Sequence, residues 1–175
     1  MTIRNRMLLA AITALAAATA TANATASSPA STAAGAERAP APHYTDAASW
    51  LTADADIDAW YRIVFGLRSD FDAICGDTFC EGDYSNIQAL RFRCSVEGGS
   101  GRIGECVWSF AASNEEIAPR SGRVLVEART WRCVLPLPRA TPLRAFLDAL
   151  AVDEPLYAPL PGASGSVYDA LGDCL

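Results

Sequence analysis

Apolar residues recur along the middle of the chain with two different periods, and these divide it into helices and strands. Ile57, Trp60, Tyr61, Val64, Leu67, Phe71 and Ile74 follow one another mostly at three- and four-residue intervals, the spacing that lines up side chains on one face of an α-helix. Asp54, Asp56 and Asp58 fall in what would be the first turn, where the helix dipole favours negative charge. The spacing predicts one long amphipathic helix with a kink at Gly66, preceded by a short helical piece around Ala47 to Leu51 anchored by Trp50.

Further on the period changes to two. Leu90-Arg91-Phe92-Arg93-Cys94-Ser95-Val96 alternates, as does Cys106-Val107-Trp108-Ser109-Phe110, and four glycines lie in the turn-rich stretch Glu97 to Gly104 between them. This is the pattern of an antiparallel hairpin. One register pairs Phe92 with Trp108, Leu90 with Phe110 and Cys94 with Cys106, because each pair of numbers has the same sum. A strand is expected at about Ile87 to Val96 and another at Gly104 to Ala112. A loop through Asn114 and Pro119 to Gly122 follows, and then a strand at Arg123 to Leu135 with Trp131, Cys133 and Leu135 on one face. Thr141-Pro142 is a suitable N-cap and first-turn pair for a helix turning Leu143, Phe146, Leu147 and Leu150 inward. After the proline-rich stretch Pro155 to Pro161, Ser166 opens a last short helix with Val167, Tyr168, Leu171 and Cys174 on one side.

The order reads as an α+β domain: a long helix at the N-terminal end, packed on an antiparallel three- to four-stranded meander, then two short C-terminal helices. In architecture this is similar to small periplasmic inhibitor folds in which a long helix packs on an antiparallel sheet; an architecture by itself assigns no activity.

What precedes the domain predicts its compartment. Arg4 and Arg6 are followed by an apolar run from Met7 to Ala20, which is short for a bilayer core of about 30 Å. Small-x-small sites follow at Ala22-Asn23-Ala24 and Ala24-Thr25-Ala26. Residues 1–26 therefore read as a cleaved signal peptide, with a membrane anchor as the weaker alternative. The first cysteine is Cys75, so none stands at the cleavage point to take a lipid. Residues 27–43 are almost entirely Ala, Ser, Thr, Pro and Gly, apart from a Glu37-Arg38 pair and His43, with little to bury, a flexible linker, and 44–175 form the domain. All 14 basic residues are arginine. That usage, with abundant alanine, fits the coding bias of a GC-rich bacterium, which makes the destination the periplasm or the exterior.

Export gives the cysteines their meaning. Cys75, Cys80, Cys94, Cys106, Cys133 and Cys174 form an even set within the domain, and disulfides persist in oxidising compartments. The hairpin register pairs Cys94 with Cys106, the short intervening loop pairs Cys75 with Cys80, and Cys133 is left for Cys174. No CxxC pair or nearby histidine supports zinc instead.

Charge and residue type narrow the chemistry. Loss of the leader leaves 12 arginines against 20 acids, a net charge of −8. Nucleic acid is disfavoured by that sign. The only histidine, His43, lies at the end of the linker, so no Ser-His-Asp or Cys-His constellation is expected in the core. Tyr44 to Asn86 holds nine acids and two arginines, whereas Ile87 to Arg144 holds five acids and nine arginines. Arg91, Arg93 and Arg132 should point away from Phe92, Trp108 and Trp131, forming a surface for an anionic ligand or acidic partner, unless acids such as Glu105 pair with them. The stretch from Asp70 through Asp72, Asp77, Glu81 and Asp83 is rich in hard oxygen ligands. Asp77, Glu81 and Asp83 could hold Ca2+, although the spacing does not follow the EF-hand pattern and a solvated turn is the plainer reading. No other cofactor is expected.

Three functions remain: an exported non-catalytic protein that binds another periplasmic or secreted protein as an inhibitor, immunity-type or accessory factor; a carboxylate hydrolase acting on cell-wall or glycan material through Asp72 and Glu81; and a calcium-binding structural module. The lack of a histidine in the core favours the first.

Overall fold

The computed structural model describes residues 41–175. The expected leader at 1–26 lies outside the described residues, as does the expected linker apart from its last positions, 41–43. Within them the chain is an α+β fold. Strands β1 (Tyr44–Asp46), β2 (Gln88–Glu97), β3 (Ile103–Ile117) and β4 (Val124–Val134) form one antiparallel sheet in the order β1-β2-β3-β4. Helices α1 (Ala47–Trp50), α2 (Asp54–Ile74), α3 (Leu143–Leu150) and α4 (Val167–Gly172) accompany it, with 3-10 turns at Cys75–Asp77 and Gly82–Tyr84.

The core lies between α2, α3 and one face of the sheet. On α2 the buried stripe is Ala59, Trp60, Ile63, Leu67 and Phe71. Tyr61, expected inward, is exposed, and Ile63 takes its place, because a stripe through 60, 63, 67 and 71 leaves position 61 about 100° away around the axis. The helix runs unbroken through Gly66. Phe71 packs on Phe110 at 4.9 Å between ring centroids, and Trp60 on Phe92 at 5.9 Å and on Phe146 at 6.4 Å. Such aromatic contacts add to the burial of large rings. At the margins of α2, Arg144 of α3 pairs with Asp56, and with Asp148 within α3, and the Asp70 carboxylate accepts the Leu156 amide at 3.1 Å.

The hairpin register holds at Phe92↔Trp108 and Cys94↔Cys106. Leu90 departs from it: a bulge between Ala89 and Arg91 sets Ala89 opposite Phe110 and turns Leu90 out, 55% exposed. The turn closes through Gly101, at φ +67°, where a side chain would also strike the Trp50 ring at 2.9 Å. Trp50 thus lies half-buried over a glycine, and the buried anchor of α1 is Ala47. Strand β3 continues to Ile117 through the segment expected to be loop. Thr141 is no N-cap: its hydroxyl donates to the Pro138 carbonyl, and Pro142 stands at the cap of α3 without a side-chain bond. The apolar face of α3, Leu143, Phe146, Leu147 and Leu150, is buried as expected.

The six cysteines form the pairs Cys75–Cys80, Cys94–Cys106 and Cys133–Cys174, with Cα separations of 5.0, 4.0 and 5.6 Å. The Cys106 carbonyl accepts the Leu135 amide, so its backbone groups face β4 rather than β2. Cys94 and Cys106 therefore oppose each other as a non-hydrogen-bonded pair, the closer of the two antiparallel spacings. Among the described residues no helix is long and apolar enough to cross a membrane.

Candidate functional site

The sheet face opposite the core carries the three arginines singled out in the sequence. Arg91, Arg93 and Arg132 are all exposed there. Arg93 is bonded to Asp46 and Arg132 to Glu105, so two of the three cations are matched by acids on the same face. Exposed pairs of this kind contribute little to stability but cancel much of the local positive potential.

The acidic segment does not converge. Asp77 lies in the first 3-10 turn, Asp83 in the second, and Glu81 in the exposed link between them. No group of three or more His, Cys, Asp or Glu side chains among the described residues is arranged to hold a metal ion. Asp72 stands on the outer side of α2 beside Arg68 at 3.9 Å. Neither Asp72 nor Glu81 lines the grooves beside α2 and the sheet. His43 is exposed, and its carbonyl accepts the Gly98 amide.

Two other surfaces stand out from the residues upward. On α2, Asp58, Tyr61, Arg62 and Phe65 recur at three and four residues and form a second stripe, turned away from the sheet. Phe65 is 76% exposed and Tyr61 60% exposed. Val152, just beyond α3, faces them across an open groove of about 780 Å³ whose remaining wall includes Asp153. Helical spacing alone draws Tyr61 into the buried stripe and leaves Phe65 unassigned. The signal that finds the groove is that Phe65 fits no position of the inward stripe.

The other surface is the outer end of the β3–β4 hairpin. Beyond the Ser113↔Ala128 pair both strands leave the core, and Ile117, Val124, Leu125 and Val126 are all exposed. The end of the core beneath the hairpin is closed by Tyr84, which packs edge-on against Trp131 at 5.5 Å and donates its hydroxyl to the Glu127 carboxylate at 2.8 Å. That hydrogen bond to a carboxylate raises the Tyr84 pKa, while the Arg129 guanidinium nearby acts the other way. Arg129 lies over both rings, 5.0 Å from the Trp131 centroid.

No protein-family model matches this chain, and no curated protein or solved structure matches it either.

Proposed function

We propose that the chain is exported to the periplasm or beyond and acts there without catalysis, binding another protein through the groove beside α2. The observation that carries this is the exposure of Phe65 and Tyr61 together beside Val152. Singly exposed apolar residues are ordinary, but two neighbouring aromatic side chains in one concave site are the composition of a binding hot spot. The groove is edged by Asp58 and Asp153 with Arg62 beside them, and the chain from Tyr44 to Asn86 that includes its helix wall holds nine acids against two arginines. The partner it suits is a protein that inserts an apolar side chain flanked by arginine or lysine, the role of an inhibitor, immunity-type or accessory factor. Three disulfides in a small domain support an oxidising destination.

The test is retention of a periplasmic or secreted protein on the immobilised chain, compared with Phe65→Arg and Tyr61→Ala. Both positions are exposed, so melting should be unchanged. The expected result is a retained protein that crosslinks at position 65 and is lost with Phe65→Arg. Retention of nothing, or retention indifferent to both variants, overturns the reading.

A further inference from the structure

A different surface, independent of the α2 groove, points to self-association. Strand β4 is the last in the sheet, and among the described residues no strand pairs with its outer edge. At the two ends of its ladder with β3, the Ala118 amide bonds the Arg123 carbonyl and the Leu135 amide bonds the Cys106 carbonyl. Antiparallel pairs alternate, so the odd-numbered residues of β4 turn their backbone groups to β3. The even-numbered ones, Val124, Val126, Ala128, Thr130, Arg132 and Val134, turn their N–H and C=O groups outward. The edge contains no proline or lysine and has no bulge against β3, so of the usual devices that stop a strand from pairing it carries only the charges of Glu127, Arg129 and Arg132.

We propose that this edge binds a second copy of the chain, β4 against β4, about a twofold axis at Ala128. The register follows from backbone parity and charge. Only registers that join even-numbered residues to even-numbered residues align the outward groups. Centring on residue 127 sets Glu127 against its own copy, and centring on 129 sets Arg129 against its own copy; like charges directly opposite each other are unfavourable. Centring on Ala128 sets Glu127 opposite Arg129 of the second copy, and twofold symmetry repeats the pair. The same register places Val126 beside Thr130, Leu125 beside Trp131, and the small Ala128 on the axis. It forms about ten new backbone hydrogen bonds over residues 124–132 and joins two four-stranded sheets into one. Glu127 and Arg129 are both exposed at this edge; Glu127 also accepts the Tyr84 hydroxyl and Arg129 lies over the Tyr84 and Trp131 rings, so the pair across the axis would share these contacts.

The register predicts a charge-exchange experiment. Sedimentation of the purified, disulfide-bonded chain should show a concentration-dependent dimer. Glu127→Arg brings arginine against arginine and Arg129→Glu brings glutamate against glutamate, so each alone should weaken association at least tenfold. An equimolar mixture of the two variants restores both opposite-charge pairs and should recover the dimer. Ala128→Pro removes an outward N–H that β3 does not use, and should give a folded monomer. A wild-type chain that stays monomeric into the millimolar range overturns the proposal. So does a dimer indifferent to these variants, or single variants whose mixture does not recover association.

Discussion

Gly66 of α2 lies against the ring of Pro155: a β-carbon added to the glycine would stand 2.8 Å from the proline Cγ. The absent side chain lets the segment after α3 close over the helix, and Asp70 one turn later holds that segment through the Leu156 amide. In an exposed helix interior Gly→Ala would stabilise by about 1 kcal/mol. Here the methyl meets a stiff ring rather than a mobile side-chain end, and overpacking costs about 1–3 kcal/mol. Gly66→Ala is therefore expected to lower stability, read as a fall in the urea midpoint. Pro155→Ala in the same chain should return part of the loss.

The three disulfides should differ in the stability they contribute, in the order of the loops they close. Cys133–Cys174 spans 41 residues, Cys94–Cys106 spans 12 and Cys75–Cys80 spans 5. Restriction of the unfolded chain gives about 4, 3 and 2 kcal/mol respectively. Paired Cys→Ala variants, unfolded in urea, should reproduce that order. Loss of Cys133–Cys174 should be the most damaging, since it also frees α4 from β4.

These features were unequally legible in the sequence. The cysteine pairs could be read because two alternating strands fix Phe92↔Trp108 and Cys94↔Cys106 with one register, and the remaining cysteines then have few partners. The Leu90 bulge could not, since alternation looks the same whether or not one residue is skipped. The extension of β3 through Asn114, Glu115 and Glu116 was hidden by its composition: polar residues on a hairpin that leaves the core resemble a loop. Strand β1 was missed because it has only three residues, Tyr44–Asp46, too few to show a period. On α2, Phe65 escaped because periodicity identifies what is buried, whereas the groove consists of what is not.

The hydroxyl of Tyr84 gives a pH signature on the alkaline side. Its bond to Glu127 favours the neutral phenol and holds its pKa above the usual tyrosine range. A group whose pKa is raised by folding contributes stability below its unfolded value and loses it as pH rises through the folded one. Glu127→Ala should bring one tyrosine back toward ordinary titration in an ultraviolet absorbance titration, and Tyr84→Phe should remove that same transition. If the late-titrating tyrosine persists in Tyr84→Phe, the assignment is wrong.

The acid side is governed by the start of α4. The Ser166 amide and hydroxyl both donate to the Asp169 carboxylate, at 2.7 and 2.8 Å, and the Asp169 amide donates back to the Ser166 hydroxyl at 3.3 Å. This reciprocal capping satisfies amides that a helix start would otherwise leave unpaired. The two bonds from Ser166, the backbone one foremost, depress the Asp169 pKa. Because the folded value lies below the unfolded one, the stabilisation is fully present above the ordinary aspartate range and fades as pH falls through the folded value. Asp169→Asn should thus be less stable than the natural chain at neutral pH, with the gap closing in acid. Ser166→Ala loses the cap itself, costing about 1 kcal/mol. Since Val167 and Leu171 of this helix are fully buried and Cys174 joins it to β4, the loss should appear in global unfolding rather than in fraying of the C-terminus. Urea midpoints measured for the three chains from neutral to acidic pH check both statements: parallel curves for Asp169→Asn and the natural chain would exclude the carboxylate as the source of the acid dependence.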